Sequence, residues 1–159
     1  MVDCCLTWSL ALIDLRVSRT RRDQHDHDEK GSLGSAEQGN QAAPAAVWNS
    51  LNPINVKADT ASTYADVDVS DYTSSSDSRA GWFDCSAGAD DIKLNTHWMD
   101  GYNDSQKHAV VTHEFGHSLK LAHGPEIAVM DTCPACYNPN MNNNLQSWDI
   151  NSYPNVWGY

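Results

Sequence analysis

The most constraining feature of the sequence is a pair of histidines four residues apart inside a strongly helical segment. Lys107–Leu121 carries apolar residues at helical spacing, and it contains His113, Glu114 and His117. At 3.6 residues per turn, residues four apart share one face, so both imidazoles can reach a single metal ion. Glu114 projects beside that ion, where its carboxylate can accept a proton from metal-bound water. The spacing therefore predicts a metal-binding helix with a general base beside the metal.

A third histidine completes the expected ligand set. His123 follows His113 by ten residues, which is the spacing His-Glu-x-x-His-x-x-x-x-x-His. The competing ligand is a glutamate from a later helix, and Glu126 is the only glutamate after Glu114. Pro125 lies directly before it and argues against a helix there. We therefore expect three histidine ligands, and zinc is the ion typical of three neutral imidazoles with one open position for water.

The charge of the chain limits its partners. Lys+Arg number 10 against 21 for Asp+Glu, which gives a net charge of −11. Nucleic acids and anionic lipid surfaces are bound by clustered basic residues, so we expect neither as a partner. No apolar run approaches the roughly 18 residues of a membrane span, and the chain is expected to stay outside the membrane.

The composition changes near residue 40. Residues 17–42 are rich in charged residues, Gly, Ser and Gln, and this composition predicts a disordered segment or a linker. Cys4–Ile13 is apolar enough for a signal-peptide core, but Asp3 and Asp14 flank it and no small-residue cleavage site follows, so no signal peptide is predicted. We therefore divide the chain into an N-terminal segment, residues 1–42, and a folded domain, residues 43–159.

The folded domain is expected to combine short strands with helices, which is an α+β fold. Alternating or β-branched runs bounded by Ser, Asp, Gly or Pro predict four strands. The strands are Ile54–Ala58, Tyr64–Val69, Arg79–Phe83 and Asp91–Leu94. Helices are predicted at Ala43–Leu51, Lys107–Leu121 and Ser147–Ser152, and Asp104 or Ser105 is expected to cap the second.

The five cysteines leave at least one unpaired or paired between chains. Cys133-x-x-Cys136 without a second such pair is weak support for a zinc ribbon. A local disulfide, or a bridge to Cys85 in an oxidising compartment, is the favoured interpretation.

These features resemble those of the metzincin metalloproteases, and in particular the matrixin-like branch of matrix metalloproteinases and their microbial relatives. The resemblance covers Ala43 to Tyr159 and includes short motifs on both sides of the histidine helix. The motifs are Val47–Ile54, Ile92–Thr96, Val111–His117, Val129-Met130, Asp149–Tyr153 and Trp157-Gly158.

The resemblance implies a zincin fold, in which a twisted mixed sheet of four to five strands packs on a zinc-binding active-site helix. His113, His117 and His123 would be zinc ligands, Glu114 the general base, and Met130 the methionine of a turn beneath the metal. Leu6–Leu10 looks faintly like the first strand of the family.

The implied function is zinc-dependent endopeptidase activity, with a glutamate general base and a zinc-bound water that attacks the peptide bond. An extended protein or peptide substrate would pair with Arg79–Phe83 as the edge strand. The resemblance also implies an extracellular, secreted enzyme, which we expect to be a monomer. Structural calcium is a further expectation, because ten aspartates lie from Asp59 to Asp104 and calcium prefers oxygen ligands.

One position departs from the family pattern. The family has glycine three residues after the second histidine, and Lys120 occupies that place. Lysine in left-handed backbone geometry costs on the order of 1 kcal/mol, so we expect zinc binding to survive with His123 less well placed.

Two alternative functions follow from the sequence. The first is a catalytically impaired zinc-binding relative that acts as a binding module, which Lys120 suggests. The second is a structural or carbohydrate-surface protein that uses its tryptophans and tyrosines as stacking platforms, and it predicts no stoichiometric metal.

Overall fold

A five-stranded mixed sheet forms the frame of the protein in its computed structural model, which describes residues 14–19, 42–51, 55–58, 66–86, 88–133 and 144–157. The strands are β1 Asp14–Arg19, β2 Asn55–Ala58, β3 Val67–Tyr72, β4 Gly81–Asp84 and β5 Asp90–Asn95. Their order across the sheet is β2-β1-β3-β5-β4. Three neighbouring pairs are parallel and β4 runs antiparallel to β5, so β4 forms one edge.

Alternating apolar residues give the sheet its buried face. Val67 and Val69 of β3 and Ile92 and Leu94 of β5 are buried, and Val69 lies opposite Ile92 in the sheet register. The residues between them are only partly buried. This period of two is typical of a strand with one face on the core and the other toward solvent.

Four helices accompany the sheet within the described part of the chain. They are α1 Ala42–Trp48, α2 Thr96–Met99, α3 Asp104–Ser118 and α4 Ser147–Trp157. None of the helices in the described ranges is both long enough and apolar enough to cross a membrane.

The start of α3 differs from the predicted one. Asn103 caps the helix, since its side chain accepts a hydrogen bond from the Gln106 backbone N–H at 3.0 Å. The Gln106 side chain in turn accepts from the Asn103 backbone N–H at 3.1 Å, which completes a capping box. Neither Asp104 nor Ser105 is the cap, because the reciprocal pair places the helix start one residue earlier.

Trp48 connects three of the helices. Its side chain is 1% exposed, and its Nε1 donates a hydrogen bond to the Thr112 carbonyl oxygen of α3 at 2.9 Å. Its ring stacks on that of Tyr153 in α4, with the centroids 6.4 Å apart. One large side chain therefore packs α1 and α4 against the central helix, and its polar atom is satisfied inside the core.

The structure confirms an α+β fold with a mixed sheet, and each of the four predicted strands overlaps an observed one. The fifth strand, β1, lies in the segment expected to be a linker, whereas the faint candidate Leu6–Leu10 lies outside the described residues. Leu15 and Val17 alternate with polar residues, which is a strand pattern. This pattern was not recognised, because the many charged and small residues that follow it dominate the composition of residues 17–42. Backbone pairing with β2 and β3 makes β1 an internal strand.

Cys133 is disulfide-bonded, and Cys85 is a free thiol. These two cysteines therefore do not bridge each other, and the predicted bridge to Cys85 is wrong. The disulfide of Cys133 agrees with the interpretation that favoured a disulfide over a zinc ribbon. Cys4, Cys5 and Cys136 lie outside the described residues.

We expect Gly116→Ala to lower the free energy of unfolding by about 1–3 kcal/mol. A Cβ at this position of α3 would overlap the Met130 Sδ and would lie 2.9 Å from Trp48 Cζ2. Gly88→Ala is the control, because no atom lies within 4 Å of a Cβ there. Chemical denaturation of both variants tests the prediction, and equal stabilities of the two would contradict it.

Candidate metal centre

The structure brings the three predicted histidines together at the end of α3. The ring centroids of His113 and His117, one helical turn apart, are 4.6 Å from each other. The ring of His123 lies 4.8 Å from that of His117 and 5.3 Å from that of His113. One potential ligand atom from each residue lies within 4.8 Å of the others. This group of histidines could bind a metal ion.

Backbone carbonyl groups set the orientation of two of the imidazoles. His113 Nδ1 lies 3.0 Å from the Val129 carbonyl oxygen, and His117 Nδ1 lies 2.9 Å from that of Leu121. A carbonyl oxygen only accepts hydrogen bonds, so each Nδ1 is the donor. The Nε2 atom of each neutral ring then carries the free lone pair. Such bonds to Nδ1 are typical of histidines that bind metals through Nε2.

The electrostatic environment keeps these rings neutral. Burial, with a smaller contribution from the charge of His117, lowers the pKa of His113 to about 4. Burial likewise lowers the pKa of His117 from its usual range. At neutral pH both imidazoles are therefore unprotonated, which is the form that binds a metal ion.

The chain turns sharply after α3, at Lys120. Lys120 has a φ of 66°, which is left-handed geometry. The Lys120 N–H donates to the His117 carbonyl oxygen at 2.8 Å, and the Leu121 N–H donates to that of Gly116 at 3.0 Å. These two bonds form a Schellman motif, which a glycine usually completes. Lys120 adopts the same turn, and the chain after it brings the ring of His123 to 4.8 Å from that of His117.

A buried carboxylate anchors the chain beneath His113. Asp149, at the start of α4, is 0% exposed and accepts hydrogen bonds from the backbone N–H groups of Val129 at 3.0 Å and Met130 at 3.2 Å. It also accepts one from the Gln146 N–H at 2.8 Å. Since the Val129 carbonyl binds His113, α4 is linked to the metal centre through a single peptide unit.

The sequence analysis quoted Asp149 only within a motif and missed this role. An aspartate at the start of a helix usually indicates a cap, and nothing in the sequence names its distant partners. Met130, the predicted turn methionine, is fully buried, and its sulfur lies against Gly116 of α3.

Glu114 lines the same cavity as the three histidines. The cavity has a volume of about 590 Å³. The carboxyl side chain is 4% exposed, and burial raises its pKa to about 8, although the charge of Arg79 opposes that shift. β4 passes close above it, because a Cβ at Gly81 would lie 2.9 Å from Glu114 Oε1. Glycine at position 81 therefore allows the strand to approach the carboxylate.

The walls of the cavity come from two parts of the chain. Residues 78–83, which include most of β4, form one wall together with Tyr102. Thr132 and Cys133 form the other wall. The metal centre therefore lies between a sheet edge and the loop after Met130.

Other predicted ligands are not brought into this group. Glu126, the competing third ligand, is exposed and is not part of it. Within the described ranges, no other set of three His, Cys, Asp or Glu residues lies close enough to hold one ion. The described residues therefore lend no support to the expected calcium site.

Comparison with known proteins gives no assignment, since no protein-family model matches the chain and no curated protein matches it.

We expect Lys120→Gly to raise the free energy of unfolding by up to about 1 kcal/mol, because glycine adopts positive φ without a steric penalty. Zinc affinity should change little, since the backbone turn is already formed. Lys120→Ala is the matched control, because it removes the long side chain and keeps the Cβ. A Lys120→Gly variant no more stable than Lys120→Ala in chemical denaturation would contradict the prediction.

We expect Asp149→Asn to lower the free energy of unfolding by about 1–3 kcal/mol, because an amide nitrogen cannot accept a backbone hydrogen bond. Zinc affinity should fall roughly 10–100-fold, since the Val129 carbonyl that orients His113 loses its support. Asp104→Asn, in the exposed first turn of α3, is the control and should change both quantities little. Denaturation and zinc titration measure the two effects, and unchanged affinity in Asp149→Asn would refute the link.

Proposed function

We propose that the protein is a zinc-dependent endopeptidase of the metzincin type, as its sequence resemblance implies. The observation that carries the proposal is the convergence of His113, His117 and His123 in one cavity with the carboxylate of Glu114. Three neutral nitrogen ligands with an acidic side chain beside them are typical of hydrolytic zinc sites.

The donor set fits zinc. His113 and His117 are held as neutral rings with Nε2 available, and His117 Nε2 lies 3.2 Å from His123 Nε2. Three imidazole ligands and a cavity open to solvent on one side suit a four-coordinate ion that keeps one position for water or substrate. When bound, zinc supplies Lewis-acid chemistry, which acidifies water and polarises a carbonyl group.

Glu114 supplies the proton transfers in this proposal. Burial raises the pKa of Glu114 to about 8, and the positive charge of a bound zinc ion would favour the ionised carboxylate. In that form it would accept a proton from the attacking water and then donate that proton to the nitrogen of the leaving amine. Within the described part of the chain, no group donates a hydrogen bond to this carboxylate. The close approach of β4 at Gly81 limits the space around the carboxylate on the β4 side of the cavity.

The edge strand β4 is the proposed docking site for the substrate backbone. It pairs with β5 on one side, and it ends the sheet on the other. An extended peptide can add to such an edge through main-chain hydrogen bonds, as in other proteins that bind peptides by strand addition. This placement would bring the peptide bond to the cavity that Glu114 lines.

We further propose that the enzyme acts outside the cell. The disulfide bond of Cys133 supports this, because disulfides persist in oxidising compartments. Proteins and peptides are the proposed substrates, and we expect the active form to be a monomer.

The alternative function is a zinc-binding module without catalytic activity. The reason for considering it was Lys120, and that residue adopts the required left-handed turn. A parent protein that binds one zinc ion and cleaves no peptide in a broad library would favour this alternative.

We expect Glu114→Gln to retain one zinc ion per chain and to lose peptide hydrolysis by at least about 100-fold. Glutamine keeps the shape of the side chain but cannot accept and return the proton. Metal analysis and the zinc-dependent rise in melting temperature measure zinc binding, and cleavage of a peptide library measures hydrolysis.

Glu126→Gln is the matched control, because Glu126 is an exposed glutamate outside the cavity. It should leave both zinc content and hydrolysis unchanged. Full turnover by Glu114→Gln would refute the role of Glu114, and absence of zinc from the parent would refute the proposed function.

A further inference from the structure

One buried amide holds the loop that leads into the cavity wall. We call residues 73–80 the cleft loop. Asn95, which is 0% exposed, donates from Nδ2 to the carbonyl oxygens of Ser74 at 2.8 Å, Asp77 at 3.3 Å and Arg79 at 3.2 Å. Its Oδ1 accepts a hydrogen bond from the Ser74 N–H at 3.0 Å. The loop backbone therefore has a defined conformation where it joins β4.

The cleft loop in turn fixes a cationic side chain at the cavity. Arg79 donates from Nε at 3.0 Å and from Nη2 at 2.8 Å to the two carboxylate oxygens of Asp77. The Tyr72 hydroxyl also donates to Asp77, at 2.9 Å, and the Arg79 guanidinium lies 5.0 Å from the centre of the Trp82 ring. The paired hydrogen bonds to Asp77 and the contact with the Trp82 ring restrict the orientation of the guanidinium, although the Arg79 side chain is 57% exposed.

The positive charge of Arg79 is unusual for its surroundings. The chain carries a net charge of −11, yet among the described residues the acidic and basic side chains other than histidine that line the cavity are those of Arg79 and Glu114. Glu114 has its role in proton transfer, and Asp77 does not line the cavity. Arg79 Nη1 makes no hydrogen bond to the described residues, so this edge of the guanidinium can bind a ligand.

A second cation near the same ring provides a comparison. Lys93 Nζ lies 4.8 Å from the centre of the Trp82 ring and 4.0 Å from an oxygen of Asp91. Lys93 does not line the cavity, whereas Arg79 does. A ligand in the cavity is therefore expected to contact one of these two cations and not the other.

We propose that Arg79 is a specificity residue, and that the cavity selects peptides with a carboxylate side chain, Glu or Asp, at the position facing the cleft loop. This rests on the proposed function and names its substrate class. The carboxylate accepts hydrogen bonds from the Nη1 edge of Arg79, while Asp77 holds the opposite edge. Because the contact is partly exposed, it contributes selectivity rather than most of the affinity.

The test compares peptide pairs that differ only by Glu against Gln at one position, scanned along both sides of the cleaved bond. The parent is expected to prefer Glu at one position by about fivefold in kcat/KM, the range for a partly exposed charged contact. In Arg79→Gln the ratio should fall to about one, and in Arg79→Lys, which keeps the charge, part of it should remain. Raised salt should reduce the parent's preference.

Lys93→Gln is the matched control, because it removes a cation beside Trp82 outside the cavity. It should keep the parent's ratio. Absence of a Glu preference at every position, or an equal preference in parent and Arg79→Gln, overturns the proposal. Loss of the preference in Lys93→Gln to the same extent as in Arg79→Gln also overturns it, since a general charge effect would then explain the result.

Binding measured without turnover separates this proposal from the proposed function. Fluorescence anisotropy of the same labelled peptides with zinc-loaded Glu114→Gln protein reports selectivity directly. An Arg79-dependent preference in binding, with no hydrolysis by the parent, supports the proposal and refutes endopeptidase activity. Hydrolysis by the parent without any preference in rate or binding would support endopeptidase activity and would overturn the role of Arg79.

Discussion

The candidate metal centre depends on holding imidazole rings in a neutral form with one potential ligand atom from each close to the others. A buried neutral ring still needs a partner for its Nδ1–H, and main-chain carbonyls of Val129 and Leu121 supply it for His113 and His117. Both carbonyls belong to the chain that follows α3, not to the helix itself. Helix α3 therefore sets only the spacing of His113 and His117. The chain that follows α3 orients their rings and contributes His123.

The core and the metal centre share the same side chains. Trp48 packs α1 on α3 and binds the Thr112 carbonyl directly before His113, while Tyr153 of α4 stacks on Trp48. Asp149, four residues before Tyr153, holds the turn under the ligands. Because α4 contributes both to the core and to this turn, loss of its packing would also disturb the ligands. Packing of α4 and the arrangement of the three histidines thus depend on the same contacts.

Much of the site could be predicted from the sequence, because histidine spacing on a helix is a local property. His113, His117 and Glu114 follow from the helical period alone, and the alternating residues of β3 and β5 gave their approximate positions. The roles of Asp149 and Asn95 could not be predicted in this way, because each binds backbone groups that are distant in sequence. β1 was missed because its short alternation at Leu15 and Val17 precedes a long polar segment, and because its pairing with β2 and β3 is not a local property.

The turn after α3 requires a backbone conformation and not a particular residue. Lysine at position 120 meets that requirement at a modest cost, and the hydrogen bonds of the turn are all present. Glycine is the usual residue at such a turn, because it adopts positive φ without a steric penalty. Chains with Lys, Asn or Asp at this position deserve inclusion when such sites are sought, provided that the third histidine keeps its spacing. A substitution at this turn can therefore change the stability of the domain while the backbone path to the third histidine stays the same.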